Sequence, residues 1–134
     1  SLTRMSLNGK PSPSLKCTNT SDKFTVDSSN GNGALTYPVG LISVDEVAMA
    51  GGKLSTSNSS YYLYTGQDYW INSPTTYSTI YKYAYEFLVY YSGIIGYNKD
   101  SNVNGLNGIR PVISLSSDVI LSGDGTYSNV YTVS

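Results

Sequence analysis

The stretch YYLYTGQDYWINSPTTYSTIYKYAYEFLVYYSGIIGYNKD, residues 61–100, decides how this chain is read. It holds eleven of the 14 tyrosines. A buried phenol needs a partner for its hydroxyl, so a core of minimal cost uses Leu, Ile and Phe instead. Tyr interleaved with Ser, Asn and Thr is the composition of recognition surfaces. There, rigid rings supply contact area and short polar side chains adapt their hydrogen bonds. The competing reading is a half-exposed sheet that uses Tyr for its β-propensity.

Residues 81–91 alternate with the period of a strand. One face carries Tyr81, Tyr83, Tyr85, Phe87 and Val89; the other carries Lys82, Ala84, Glu86, Leu88 and Tyr90. Neither face is wholly apolar, which predicts a bulge part-way along. Ser92 and Gly93 predict a hairpin turn into a strand over 94–97. Upstream, short strands are expected over 61–64 and 69–71, the second broken by Asn72, Ser73 and Pro74. Downstream, residues 98–108 form a polar loop. Residues 109–115 are the most apolar strand and are expected to be central. A terminal hairpin over 119–121 and 130–133 closes around GDGTYSN.

The N-terminal half is more polar. Residues 1–22, with Pro11 and Pro13, read as an irregular segment or a linker to an upstream domain, and 23–134 as the folded domain. A short strand over 23–26 precedes the turn SSNGNG, 28–33. In LTYPVGLI, 35–42, Pro38 excludes a central-strand role. In SVDEVAMAGG, 43–52, Ser43 and Glu46 form a capping box, Asp45 and Glu46 suit a helix N-terminus, and Gly51 and Gly52 end the helix. A helix over 44–50 follows, then a surface loop over 53–60. The class is α+β, mostly short antiparallel strands and loops with one short helix. Leu41, Val47, Leu63, Trp70, Phe87, Ile113 and Leu115 are the expected core.

Composition narrows the function classes. At 134 residues the chain is long enough for a sizeable core. Charged residues are 13%, about half the usual share, and polarity comes from Ser, Thr, Asn and Tyr. That balance suits an extracellular or virion-surface protein. A net charge of −1 without a basic run gives no bulk attraction to nucleic acid or anionic lipid. No apolar run reaches the ~18 residues of a membrane span, so no direct membrane insertion is expected. With no His, the commonest general base and the Ser/His and Cys/His nucleophile pairs are missing. No calcium-loop or zinc-site pattern occurs. The chain is therefore expected to be no enzyme and to need no cofactor or metal. Cys17 is the only cysteine; it reads as a small buried residue or as half of a disulfide to a cysteine elsewhere.

Arg110 lies inside the apolar run between Ile109 and Pro111. A buried guanidinium must be paired, and Asp45 or Glu46 is the expected partner, an ion pair tying helix to sheet.

Four strings together, GNGALTYPVGLISVDEVAMAGG, YYLYTGQDYWINSP, GIRPVISL and SGDGTYSNVYTV, resemble a C-terminal domain of surface proteins of Gram-positive gut bacteria and their phages. The resemblance spans roughly residues 17–133. It implies a variant of the C-type-lectin fold, shared with the variable proteins of diversity-generating retroelements, phage receptor-binders among them. In such proteins adenine mutagenesis scatters Tyr, Asn, Ser, Asp, Thr and Ile over exposed positions. Tyr69, Asn72, Thr75, Tyr77, Tyr81, Tyr83, Tyr85, Tyr90, Tyr91, Tyr97, Asn98 and Asn102 fit that palette as ligand-binding positions. The expectation is one Tyr-rich patch on a single face. The resemblance places Trp70 in the base of the sheet; the other reading of this lone Trp is a sugar-stacking platform. The calcium-lectin motifs Glu-Pro-Asn and Trp-Asn-Asp are absent, as is the catalytic Cys pair of formylglycine-generating enzymes. The implied function is a receptor-binding or adhesin domain, following a prepilin-like or tail segment, on a cell surface, pilus or phage virion. Its partner would be a protein or glycan on another cell or surface. The alternatives are a pilin or tail subunit that uses the Tyr-rich face for assembly, and a carbohydrate-binding lectin.

Overall fold

The structure is a computed structural model that describes residues 12–17, 19, 36–37, 39–96, 105–113, 115, 118–126 and 128–133. The strand expected over 23–26, the turn at 28–33 and Pro38 lie outside these.

Helix α1, Val44–Met49, forms where its capping box predicts. The Glu46 N–H donates to Ser43 Oγ at 3.3 Å, and the Ser43 N–H donates to Glu46 Oε2 at 2.8 Å. At the other end Gly51 takes φ +109, its N–H donates to Ala48 O, and the Gly52 N–H donates to Val47 O. That paired closure is the Schellman arrangement, which needs Gly at the left-handed position. Val44 and Val47, three residues apart, share one stripe of the helix and are fully buried.

Strand β1, Val39–Leu41, precedes the helix, and β2, Lys53–Leu54, follows it within the stretch expected to be loop. The Tyr-rich region supplies β3, Tyr69–Ser78, β4, Tyr83–Val89, and β5, Ile94–Gly96. These make a four-stranded sheet in the order β2-β5-β4-β3, antiparallel except for the β2–β5 pair. Strand β6, Pro111–Ile113, pairs with β1, and β7, Leu121–Ser122, pairs with β8, Thr132–Val133, as the terminal hairpin requires. The described residues are thus α+β: small sheets with one short helix.

The core gathers Val44, Val47, Tyr61, Tyr69, Ile71, Phe87, Val89 and Ile95 between α1 and one face of β3, β4 and β5. Each such aliphatic or aromatic side chain contributes about 1.5–3 kcal/mol by leaving water. Trp70 and Leu88 are cross-strand partners, also buried. Burial, then the adjoining Tyr69 phenol, holds the Tyr61 hydroxyl far above the usual phenol range.

Several expectations need correction. Residues 61–64 form a turn, not a strand, with the Tyr64 N–H on Tyr61 O at 3.0 Å. Strand β3 does not break at Pro74 but runs through it, with register shifts on both sides. Proline is tolerated there because β3 is the edge strand of its sheet, and a bulge needs no ladder N–H from it. The expected bulge therefore lies on β3, opposite the alternating strand. The 109–115 run is not central: β6 is a three-residue strand with every residue exposed, and Ile113 is 63% exposed. Leu115 is exposed too, and Leu41 and Leu63 are half-buried. Cys17 is exposed, its thiol donating to Asn19 O.

Candidate recognition surface

Strands β3 and β4 divide into a base and an arm. In the base, Tyr69 and Trp70 pair with Val89 and Leu88, Ile71 and Phe87 lie beside them, and all six are buried. Past the register shifts the pair continues as a ribbon, Thr76↔Tyr85, Tyr77↔Ala84 and Ser78↔Tyr83. On the β4 side, strand β5 pairs with Leu88 and Val89 and does not reach the ribbon. Among the described residues no third strand flanks the ribbon, and several of its side chains meet solvent. Tyr77 is 57% exposed, Ile80 83%, Tyr81 68% and Tyr83 42%. Two local bonds shape the arm. The Thr75 hydroxyl crosses to Tyr85 O at 3.0 Å, and the Tyr81 N–H donates to Ser78 Oγ at 3.2 Å in the connecting turn. Lys82 closes that turn at φ +56.

The expected ligand-binding positions therefore scatter. Tyr77, Tyr81 and Tyr83 sit together on the arm, with Tyr85 half-buried at its root. Tyr69 is 2% exposed and belongs to the core, where its hydroxyl donates to Leu63 O at 3.0 Å. Asn72 is half-buried on the base, its N–H on Ile42 O. Tyr90 is half-buried, its hydroxyl enclosed and its ring against Gly96; a Cβ there would lie 2.6 Å from the ring. Tyr91 is 68% exposed but stands at the far end of β4 from Tyr83. A strand of this length spans about 20 Å, so the expected tyrosines among the described residues do not share a single face. Tyr97, Asn98 and Asn102 lie outside the described residues.

Arg110 is half-buried but does not pair with Asp45 or Glu46. Its Nη1 donates to Leu63 O at 2.7 Å, and its guanidinium lies 5.0 Å from the centroid of the Tyr69 ring. Arg110 and Tyr69 thus share one carbonyl, fastening the 105–113 segment to the 61–64 turn. Asp45 instead accepts the Ser14 N–H at 2.8 Å, and Glu46 is occupied by the capping box. The tie between helix and sheet is Ser73, 6% exposed, whose Oγ accepts the Val44 N–H at 3.0 Å.

Beside Tyr91 an open concavity of about 640 Å³ lies between the 66–68 turn and the 106–108 segment. Four hydrogen bonds build it. Asp68 Oδ1 accepts the Tyr91 N–H at 2.5 Å. The Gly108 N–H donates to Asp68 O, the Trp70 N–H to Gly108 O, and the Gln67 N–H to Thr65 Oγ1. Sequence reading missed this site because three separated polar segments compose it and none carries a periodic signal. Comparison with known protein families, with curated proteins and with solved structures finds no match.

Proposed function

We propose that the chain is a non-enzymatic ligand-binding domain of C-type-lectin-like fold, a receptor-binding or adhesin module on a cell surface, pilus or phage tail. The observation that carries this reading is the arm. A ribbon that leaves Tyr77, Tyr81, Tyr83 and Ile80 in solvent serves no core, while rigid aromatic rings on a preorganised support are what a paratope uses. The buried base beneath it holds the arm's root fixed. The absence of His and the resemblance of the four sequence strings support the same reading.

The test is binding of fluorescent domain to intact Gram-positive bacteria and to epithelial cells. Saturable binding to at least one of them is expected, lost in the Tyr77→Thr/Tyr81→Thr/Tyr83→Thr protein. Threonine keeps the β-propensity while removing the rings. No saturable binding, or equal binding by the variant, contradicts the proposal. If sedimentation instead shows arm-dependent self-association, the domain is an assembly subunit.

A further inference from the structure

We propose that the outer edge of β3 on the arm, residues 75–78, takes an extended segment of a partner protein as an added β-strand. This deepens the reading of the arm as a recognition surface and rests on it. The chemistry of the occupant is legible nearer the base, where the chain fills the same edge with its own backbone. Strand β3 is the edge strand of its sheet. Its outer side is met first by Gly108, which bridges Tyr69 in parallel. The Gly108 N–H donates to Asp68 O and the Trp70 N–H to Gly108 O, each at 2.9 Å. Ile42 O then accepts the Asn72 N–H at 2.7 Å. Residues 68, 70 and 72 alternate, as the outward-facing backbone groups of an edge strand do. Past Pro74 this cover ends. Residues 75–78 make no backbone bond to described residues beyond the pairing with β4.

Open strand edges in native proteins are blunted by Pro, Lys, other charges or a bulge. On β3 the Pro and the register shifts stand at the root of the arm, and the run Thr75, Thr76, Tyr77, Ser78 carries no charge. The open stretch is ~13 Å long, room for four residues of an added strand. By the register, Tyr77 shares one face of the ribbon with Ala84, while Thr76 and Ser78 share the other with Tyr85 and Tyr83. An added strand therefore lies beside an exposed ring on one face and beside hydroxyls on the other. Its backbone bonds supply affinity, and these two rows select uncharged β-branched and aromatic side chains. A glycan has no row of amide donors and acceptors at strand spacing. A second copy fits less well. Antiparallel pairing of two β3 edges about residues 76–77 sets each tip turn against the Ile42 backbone already seated at Asn72 of the other. A lone extended segment meets no such obstacle.

The experiment is hydrogen-exchange NMR of the whole chain with three acetylated, amidated hexapeptides that alternate Thr with Val, Ile or Tyr. Chitotetraose is the glycan rival. At least one peptide is expected to bind saturably and to slow exchange at alternate amides within residues 75–78. N-methylation of alternate peptide residues tests the backbone without touching the protein. One set of positions should weaken binding about tenfold, the size of a lost backbone hydrogen bond, and the other set should not. Thr76→Lys places on the exposed edge the charge that blunts native edges, and should weaken binding likewise. The triple arm variant keeps the backbone edge, so it should show the same alternate protection with weaker binding. The inference is overturned if no peptide protects these amides, if both N-methylated sets bind as the parent peptide does, or if chitotetraose alone binds the arm. It is also overturned if raising the concentration of the chain protects them without peptide, since the occupant is then a second copy. Ring-dependent cell binding without peptide protection removes the added strand and leaves the arm; loss of both removes the arm as well.

Discussion

Tyr69 and Tyr77 belong to one strand and meet opposite fates. Tyr69 is enclosed, with its hydroxyl on Leu63 O, while Tyr77 stands in water. What separates them is the pair of register shifts around Pro74, past which no third strand among the described residues flanks the ribbon. Two polar residues, Ser73 and Arg110, hold the fold through backbone partners. Ser73→Ala strands the buried Val44 N–H and should cost about 1–3 kcal/mol by urea denaturation. Arg110→Ala loses a charge-assisted bond to a carbonyl and a ring contact, about 1.5–3 kcal/mol. Arg110→Lys should recover part of that loss. No recovery would mean that the planar guanidinium, rather than the charge, holds the contact. The carbonyl partner of Arg110 was not legible in the sequence, because a backbone acceptor can belong to any residue.

At the scale of elements, local chemistry was the most readable. The capping box and the Gly-Gly stop of α1 are patterns written within ten residues, and both form. The 109–115 run was misread because apolarity alone does not fix a strand's place in a sheet; only pairing partners do, and among the described residues β6 pairs with β1 alone. The β4–β5 turn was readable from Ser92 and Gly93, but its tightness was not. Gly93 sits at φ +78, and a Cβ there would fall 1.8 Å from Asn58 O. Gly93→Ala should therefore lower the thermal midpoint by several degrees, as roughly 2 kcal/mol of strain does in a domain of this size. An unchanged midpoint would mean that the 58–60 segment moves aside freely. Glu86 sits half-buried across from Pro74, and burial holds its carboxyl above the ordinary 4.5. The folded state thus keeps the proton longer than the unfolded chain. Stability from this group is greatest below pH 4.5 and falls as pH rises through the folded value. Glu86→Gln should remove that fall and stabilise the protein at neutral pH. Parallel stability–pH curves for parent and variant would contradict this.

For the molecule as a whole, the α+β class and the β4–β5 hairpin were legible, because alternation and turn residues are local signals. The division of that region into buried base and exposed arm was not, since period-two alternation continues through both. Nor was the concavity beside Tyr91, which only the folded chain assembles. The proposed role of the arm depends on that division. It is tested most directly by urea denaturation of two proteins, Tyr77→Thr/Tyr81→Thr/Tyr83→Thr and Tyr69→Thr. The triple arm variant should unfold within about 1 kcal/mol of the parent, as exposed substitutions do, whereas the single base variant should lose about 3 kcal/mol or more, as an emptied aromatic core site does. A triple variant destabilised as much as Tyr69→Thr would show that the arm's rings are core, and the account would be wrong.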